Sequence, residues 1–244
     1  MKKKKWVPIL IVWLVLLGIG GVGLSRFVKD QVWKSHNYIV ENPSATVVID
    51  PGHGGYDSGA VATDGTREKD VALNVALLTG QYLHEMDPSL QIIFTRYDDN
   101  VSWPDNEAED LMARVNIGYT YGADYYLSIH MNSADNTDAL GYFGIVREDD
   151  AVSQRICRHL DELLTNGGWE PALGYRTTSD IGSIYVVDNF GIPSMLFECG
   201  FLSNPTEAWQ LRDPANQNLI ARSLAQAYYD SITGQDFQYE EAAQ

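Results

Sequence analysis

Cysteine is nearly absent from this chain: 244 residues hold two, Cys157 and Cys199. A disulfide framework is thereby excluded, and the pair reads as two buried thiols. Cys199 sits next to Glu198 in a strand-like run, so its side chain points to the opposite face from the carboxylate and makes a poor nucleophile partner. Basic residues are also scarce, 17 Lys and Arg against 33 Asp and Glu. Setting aside Lys2 to Lys5 leaves 13 basic residues and a charge of about −20, which excludes nucleic acid as a partner and implies a solvated acidic surface. No internal repeat is present, and the length supports one domain with a sizeable core and nothing appended behind it.

Charge is missing altogether from Trp6 to Leu24, and this stretch is close to the length of a bilayer-spanning helix. The four lysines before it predict a cytoplasmic amino terminus and an exported remainder. Residues 1–24 are therefore read as a membrane anchor formed by one transmembrane helix, 25–44 as a stalk, 45–234 as the folded domain and 235–244 as a frayed tail. A secreted chain is the alternative, because Gly20, Gly21 and Gly23 resemble the small residues of a signal cleavage site.

What is present begins at Thr46-Val47-Val48-Ile49, an apolar β-branched run that reads as a buried strand. It runs into Asp50-Pro51-Gly52-His53-Gly54-Gly55, whose proline and glycines force a turn and leave His53 at a sheet edge. Tyr125 to Ile129 repeats the arrangement and stops at His130; Ser194 to Phe197 runs into Glu198. Helical patterns separate these runs, and one of them, opened by Arg67-Glu68-Lys69-Asp70, spaces Val71, Val75, Leu78 and Tyr82 along one face. Asp213 as N-cap and Pro214 at the first position begin the last helix. Strand and helix alternation predicts an α/β fold: a single three-layer domain with a mostly parallel central sheet flanked by helices. Ligand-bearing groups in such sheets gather outside the carboxyl ends of the strands.

His53 alone would be a structural histidine; its meaning comes from residues that share that edge. Two neutral imidazoles, His53 and His130, with the Glu68 carboxylate make a three-ligand zinc set with a fourth position open, the catalytic rather than the structural pattern. Such a centre acidifies a bound water to a pKa of about 7. Glu198, a carboxylate outside the ligand set, fits the general acid/base. Asp50 and Asp57 are placed to orient His53. His36 in the stalk, and His84 and His159 in helical patterns, are given surface or packing roles.

Four blocks in order now carry a resemblance: Val48 to Gly55, Arg67 to Val71, Ser128 to Asn132, and Phe197 to Asn204. Together they resemble the zinc-dependent N-acetylmuramoyl-L-alanine amidases, cell-wall hydrolases with a His-Glu-His metal site, over about residues 45 to 233. The resemblance implies that His53, Glu68 and His130 bind zinc, that Glu198 is the catalytic acid/base, and that peptidoglycan is cut between N-acetylmuramic acid and L-alanine. Asn132 falls at a motif position of the family. Met131 and Cys199 depart from the family's usual residues, and neither is an expected ligand.

Metal chemistry by itself does not choose the amide, so a zinc peptidase cutting within the stem peptide and a non-catalytic wall-binding module are the rival functions. Basic loop residues such as Arg176 are candidates to meet stem-peptide carboxylates. The segment from Arg147 to Gly182 reads as one helix and a loop, so no built-in lid is expected. The acidic stretch Tyr97 to Glu107 reads as a loop whose acidity the sequence leaves unexplained.

Overall fold

The structure, a computed structural model, describes residues 36–101 and 103–235. Among those residues no helix is long and apolar enough to cross a membrane. The anchor expected at 1–24 and most of the tail lie outside them.

Among the described residues six strands form one sheet: β1 (Thr46–Pro51), β2 (Gln91–Phe94), β3 (Tyr125–Asn132), β4 (Tyr142–Val146), β5 (Ala172–Thr177) and β6 (Ser194–Phe201), in spatial order β2-β1-β3-β6-β4-β5. β2, β1, β3 and β6 run parallel, whereas β4 pairs antiparallel with β6 and parallel with β5. All six residues of β1 are buried, as the apolar run predicts for a central strand covered on both faces.

Helices α1 (Glu68–Met86), α3 (Ala151–Asn166) and α7 (Pro214–Thr233) pack together over one face of the sheet. The core lies there, with Val47, Ile49, Leu127, Ile129, Phe197 and Cys199 pointing into it from the strands. On the other face α2 (Glu107–Tyr121) lies against β1, and the short α5 (Tyr185–Asp188) against β6. Two more helices complete the domain, α4 (Thr178–Ile181) and α6 (Pro205–Arg212). The expected three-layer α/β architecture is thus present.

Local start signals behave as the sequence predicts. The Asp213 carboxylate accepts from Ala215 N at 2.9 Å ahead of Pro214, and Gly234 closes α7 in a left-handed cap at φ 71°. Leu78 and Tyr82 are only partly buried in α1, while Val71, Ala72, Val75, Ala76 and Leu83 form its buried stripe. Upstream of β1, Tyr38 bridges Ile92 of β2 and stacks on His84 at 4.2 Å, so the chain is docked from Tyr38 onward.

The stretch from Arg147 to Gly182 differs from the single helix and loop expected. It holds α3, then edge strand β5, then α4, and Arg176 lies on β5. Ala172-Leu173-Gly174-Tyr175-Arg176-Thr177 has one β-branched residue and is mostly solvent-reachable, so it carries no buried-strand pattern to read.

Candidate metal centre

β1 and β3 end at the same edge, and the turn after β1 and the last residues of β3 bring His53 and His130 to an edge-to-face pair with ring centroids 4.8 Å apart. Glu68, the first residue of α1, reaches between them. Its Oε1 lies 3.0 Å from His53 Nε2 and 2.9 Å from His130 Nδ1. One ligand atom from each of the three residues lies within 4.8 Å of the others, the three-donor set expected from the sequence.

The surroundings fix each donor. Glu68 Oε1 accepts from Met131 N at 3.0 Å and its Oε2 from Ala60 N at 2.9 Å. His53 Nδ1 is 2.6 Å from Asp57 Oδ2, which leaves Nε2 for the cluster and is the second-layer carboxylate contact common in metal sites. Space is reserved by glycine. A Cβ at Gly52 would lie 2.3 Å from the His130 ring, and one at Gly59 would lie 2.5 Å from Glu68 Oε2 and 2.6 Å from His53. Two imidazoles and a carboxylate, converging in a glycine-lined cradle, fit a borderline-soft divalent cation with room for a further ligand.

Electrostatics follow the geometry. Burial opposes protonation of His53, but Glu68 and Asp57 outweigh it and raise its pKa to about 9. Burial likewise opposes ionisation of Glu68, yet hydrogen bonds from His130 and His53 hold its carboxyl well below the usual range.

Glu198 stands apart from this cluster. It pairs in register with His130 on the next strand, so its side chain rises from the same face of the sheet. Its buried Oε2 has no hydrogen-bond partner among the described residues. Burial pushes its pKa up to about 7, with the Glu68 charge adding and the two imidazoles opposing. A carboxyl poised near neutrality beside these donors can both take and give a proton at physiological pH. Cys199 faces the core instead, and Cys157 and Cys199 are both free and buried.

Two buried arginines that the sequence did not single out hold the turn that carries His53. Arg114 of α2 donates from Nη2 to His53 O at 2.6 Å, from Nη1 to Pro51 O and to Asp50 Oδ1, and from Nε to Asp110. Arg96, just past β2, donates to Pro51 O and Gly52 O. His53 itself sits at φ 59°, left-handed and unusual outside glycine, and these bonds keep it there. Asp50 therefore supports His53 through Arg114, while Asp57 does so directly. Part of the acidity between Tyr97 and Glu107 is explained as well: Asp99 accepts from Gly55 N at 2.9 Å and from Lys69 Nζ at 2.8 Å, pinning the same turn. Asn106 caps α2 by accepting from Glu109 N.

A family model described as N-acetylmuramoyl-L-alanine amidase matches residues 47–230, a span that begins in β1, ends in α7 and includes all four site residues. The chain belongs to this amidase family. The amidase is 33% identical over 234 residues to the germination-specific N-acetylmuramoyl-L-alanine amidase of Bacillus subtilis, covering 91% of this chain and 92% of that relative. Among solved structures it resembles the catalytic domain of CwlV from Bacillus (Paenibacillus) polymyxa, with TM-score 0.67 and 28% identity over 78% of this chain and 98% of that one. The CwlD amidase of Clostridioides difficile, solved in complex with the GerS lipoprotein, matches with TM-score 0.69 and 27% identity over 78% and 98%. Next to the His53-Glu68-His130 cluster the amidase has a cavity of about 570 Å³, walled by His53, His130, Tyr56, Tyr185, Val186 and Leu196.

Proposed function

We infer that this chain hydrolyses the amide between N-acetylmuramic acid and L-alanine in peptidoglycan, with zinc held by His53, Glu68 and His130 and with Glu198 as general acid/base. The observation that carries this is the convergence of three donor atoms within 4.8 Å beside a carboxyl whose buried oxygen is unpartnered. Zinc bound there supplies a Lewis acid that acidifies water and polarises a carbonyl oxygen.

The chain's own groups do the rest. Asp57 holds the His53 ring by its Nδ1, and Ala60 N and Met131 N hold both oxygens of Glu68, so the donors are oriented towards one another before an ion arrives. Glu198 accepts a proton from the attacking water. It returns that proton to the departing alanine nitrogen, which could not leave as an amide anion. A pKa near 7 serves both halves of this transfer.

Product identification on purified muropeptides tests the bond. New amino-terminal L-alanine with intact glycan supports the amidase, and cuts between amino acids would favour a stem-peptide peptidase. Glu198→Gln should lower kcat by at least about 100-fold with zinc content unchanged, because general acid/base transfer contributes on that order. His130→Ala should lose the metal as well, measured by elemental analysis. Near wild-type turnover in the Glu198→Gln protein would remove Glu198 from the reaction.

The uncharged stretch from Trp6 to Leu24 behind Lys2 to Lys5 supports a placement outside the cytoplasmic membrane, anchored by that segment or secreted after its cleavage.

A further inference from the structure

We propose that Arg176, seated on Phe143, is the anchor for the first free carboxylate of the stem peptide, so that the peptide leaves the metal centre across β6 and β4 towards β5. The proposal rests on the amidase reading and adds to it the direction of the substrate and a residue that selects it.

The register of the sheet supplies the geometry. His130 pairs with Glu198 and Glu198 with Phe143, so the three side chains stand in a row on one face. Ile145, two residues along from Phe143, pairs with Arg176, which puts Arg176 on that face too. The Arg176 guanidinium leans back over the Phe143 ring, 5.9 Å from its centroid. Arg176 is exposed, and Glu198 and Phe143 are partly exposed, so the row is open to a ligand.

Arg176 also differs from the cations on the other sides of the site, which are committed. Arg114 and Arg96 are spent on the His53 turn, Lys69 on Asp99, Arg67 on Asp70 and Arg212 on Asp64. Arg176 donates through Nη1 to the carbonyls of Leu173 and Tyr175 at 3.2 and 3.3 Å and forms no salt bridge among the described residues. Its nearby carboxylate, Asp180, is occupied by Thr177 N and Oγ1. Nε and Nη2 are left with no hydrogen bond among the described residues, and these two donors form the fork that grips a carboxylate in two parallel bonds.

Chemistry and length agree on what the fork would hold. Glu198 must stand on the leaving-group side of the broken bond, because it protonates the alanine nitrogen. Arg176 lies further along the same direction, two strand spacings or about 10 Å from β6 before its side chain reaches back. In the stem peptide the carboxylate that follows L-alanine lies about 7 Å beyond the broken bond, at about 3.5 Å per residue. The peptide's carboxylate therefore meets the guanidinium when its alanine nitrogen meets Glu198. The cavity beside His53 is left on the sugar side.

Two muropeptides that differ only in whether that carboxylate is free or an amide separate the outcomes. Wild-type enzyme should prefer the free acid. Arg176→Ala should raise KM for the free acid by about 10- to 100-fold, the value of a hydrogen bond to a charged group, and leave KM for the amide within about twofold. Arg176→Lys should recover part of the loss. The released peptide should bind wild-type protein and lose affinity for Arg176→Ala by calorimetry, a readout independent of turnover. Equal effects of Arg176→Ala on both substrates, or no effect on either, would overturn the anchor while leaving the amidase reading intact. Cleavage of neither substrate at the muramoyl–alanine bond by wild-type enzyme would overturn the amidase reading, and the anchor with it.

Discussion

Gly52 shows how much of a metal centre depends on what is left out. Its missing side chain is the room in which the His130 ring lies, since a Cβ there would come within 2.3 Å of that ring. Gly52→Ala should therefore displace one donor, with zinc content and turnover falling together while far-ultraviolet circular dichroism stays near wild type. Full zinc occupancy in that variant would show that the cradle is not tight. Gly59 adds a left-handed φ of 61° to the same steric demand, so alanine there is disfavoured twice. His53 adopts a left-handed conformation without that licence, at a cost of about 1–3 kcal/mol. The Arg114 bond to its carbonyl is the compensation.

Between elements, the buried group of Asp50, Arg114, Thr95, Ser128 and Asp110 ties α2, β2 and β3 to the end of β1. Burial opposes ionisation of Asp50, but Arg114 and the hydroxyls of Thr95 and Ser128 outweigh it and hold its carboxyl below the ordinary 3.8. A carboxylate with a depressed folded pKa contributes stability that is complete above its unfolded value and is lost as pH falls through the folded one. Urea unfolding between pH 6 and pH 3 should show stability declining below about pH 4, with a shallower decline in Asp50→Asn; equal slopes would contradict this. Arg114→Met would strand Asp50 and Asp110 as uncompensated buried charges and should cost about 3–5 kcal/mol in the same assay at pH 7. Of this network the sequence offered only Asp50, as a residue placed to orient His53. Arg114 is an ordinary helix residue by pattern, and its partners at Asp50, Pro51 and His53 lie 61 to 64 positions away.

For the whole molecule, the chain is docked from Tyr38 onward, with Ser44 N bonded to Ser89 O between Tyr38 and β1. Deleting residues 1–35 should leave muropeptide turnover within about twofold of the full chain while abolishing recovery in membrane fractions. Equal membrane recovery of both proteins would refute an uncleaved anchor at Trp6 to Leu24. The acidic surface belongs to this scale too. With 33 acidic residues against 17 basic, long-range attraction to an anionic wall is absent, which gives a short-range contact such as Arg176 more weight in choosing substrate.

The sequence by itself determined the strand ends and helix starts that carry chemistry. His53 follows a β-branched run broken by proline and glycine, Glu68 opens an apolar helical stripe, and Asp213-Pro214 starts the last helix. These are local signals, written within a few residues of the features they specify. Only the tertiary structure decided that the donor atoms come within 4.8 Å, that Glu198 keeps an unpartnered oxygen, and that Arg176 sits in the same open row rather than in a loop. The sheet order β2-β1-β3-β6-β4-β5 and the reversal at β4 place those residues side by side. Such pairings join segments far apart in the chain, and the residue patterns within each strand do not encode which neighbour it will take.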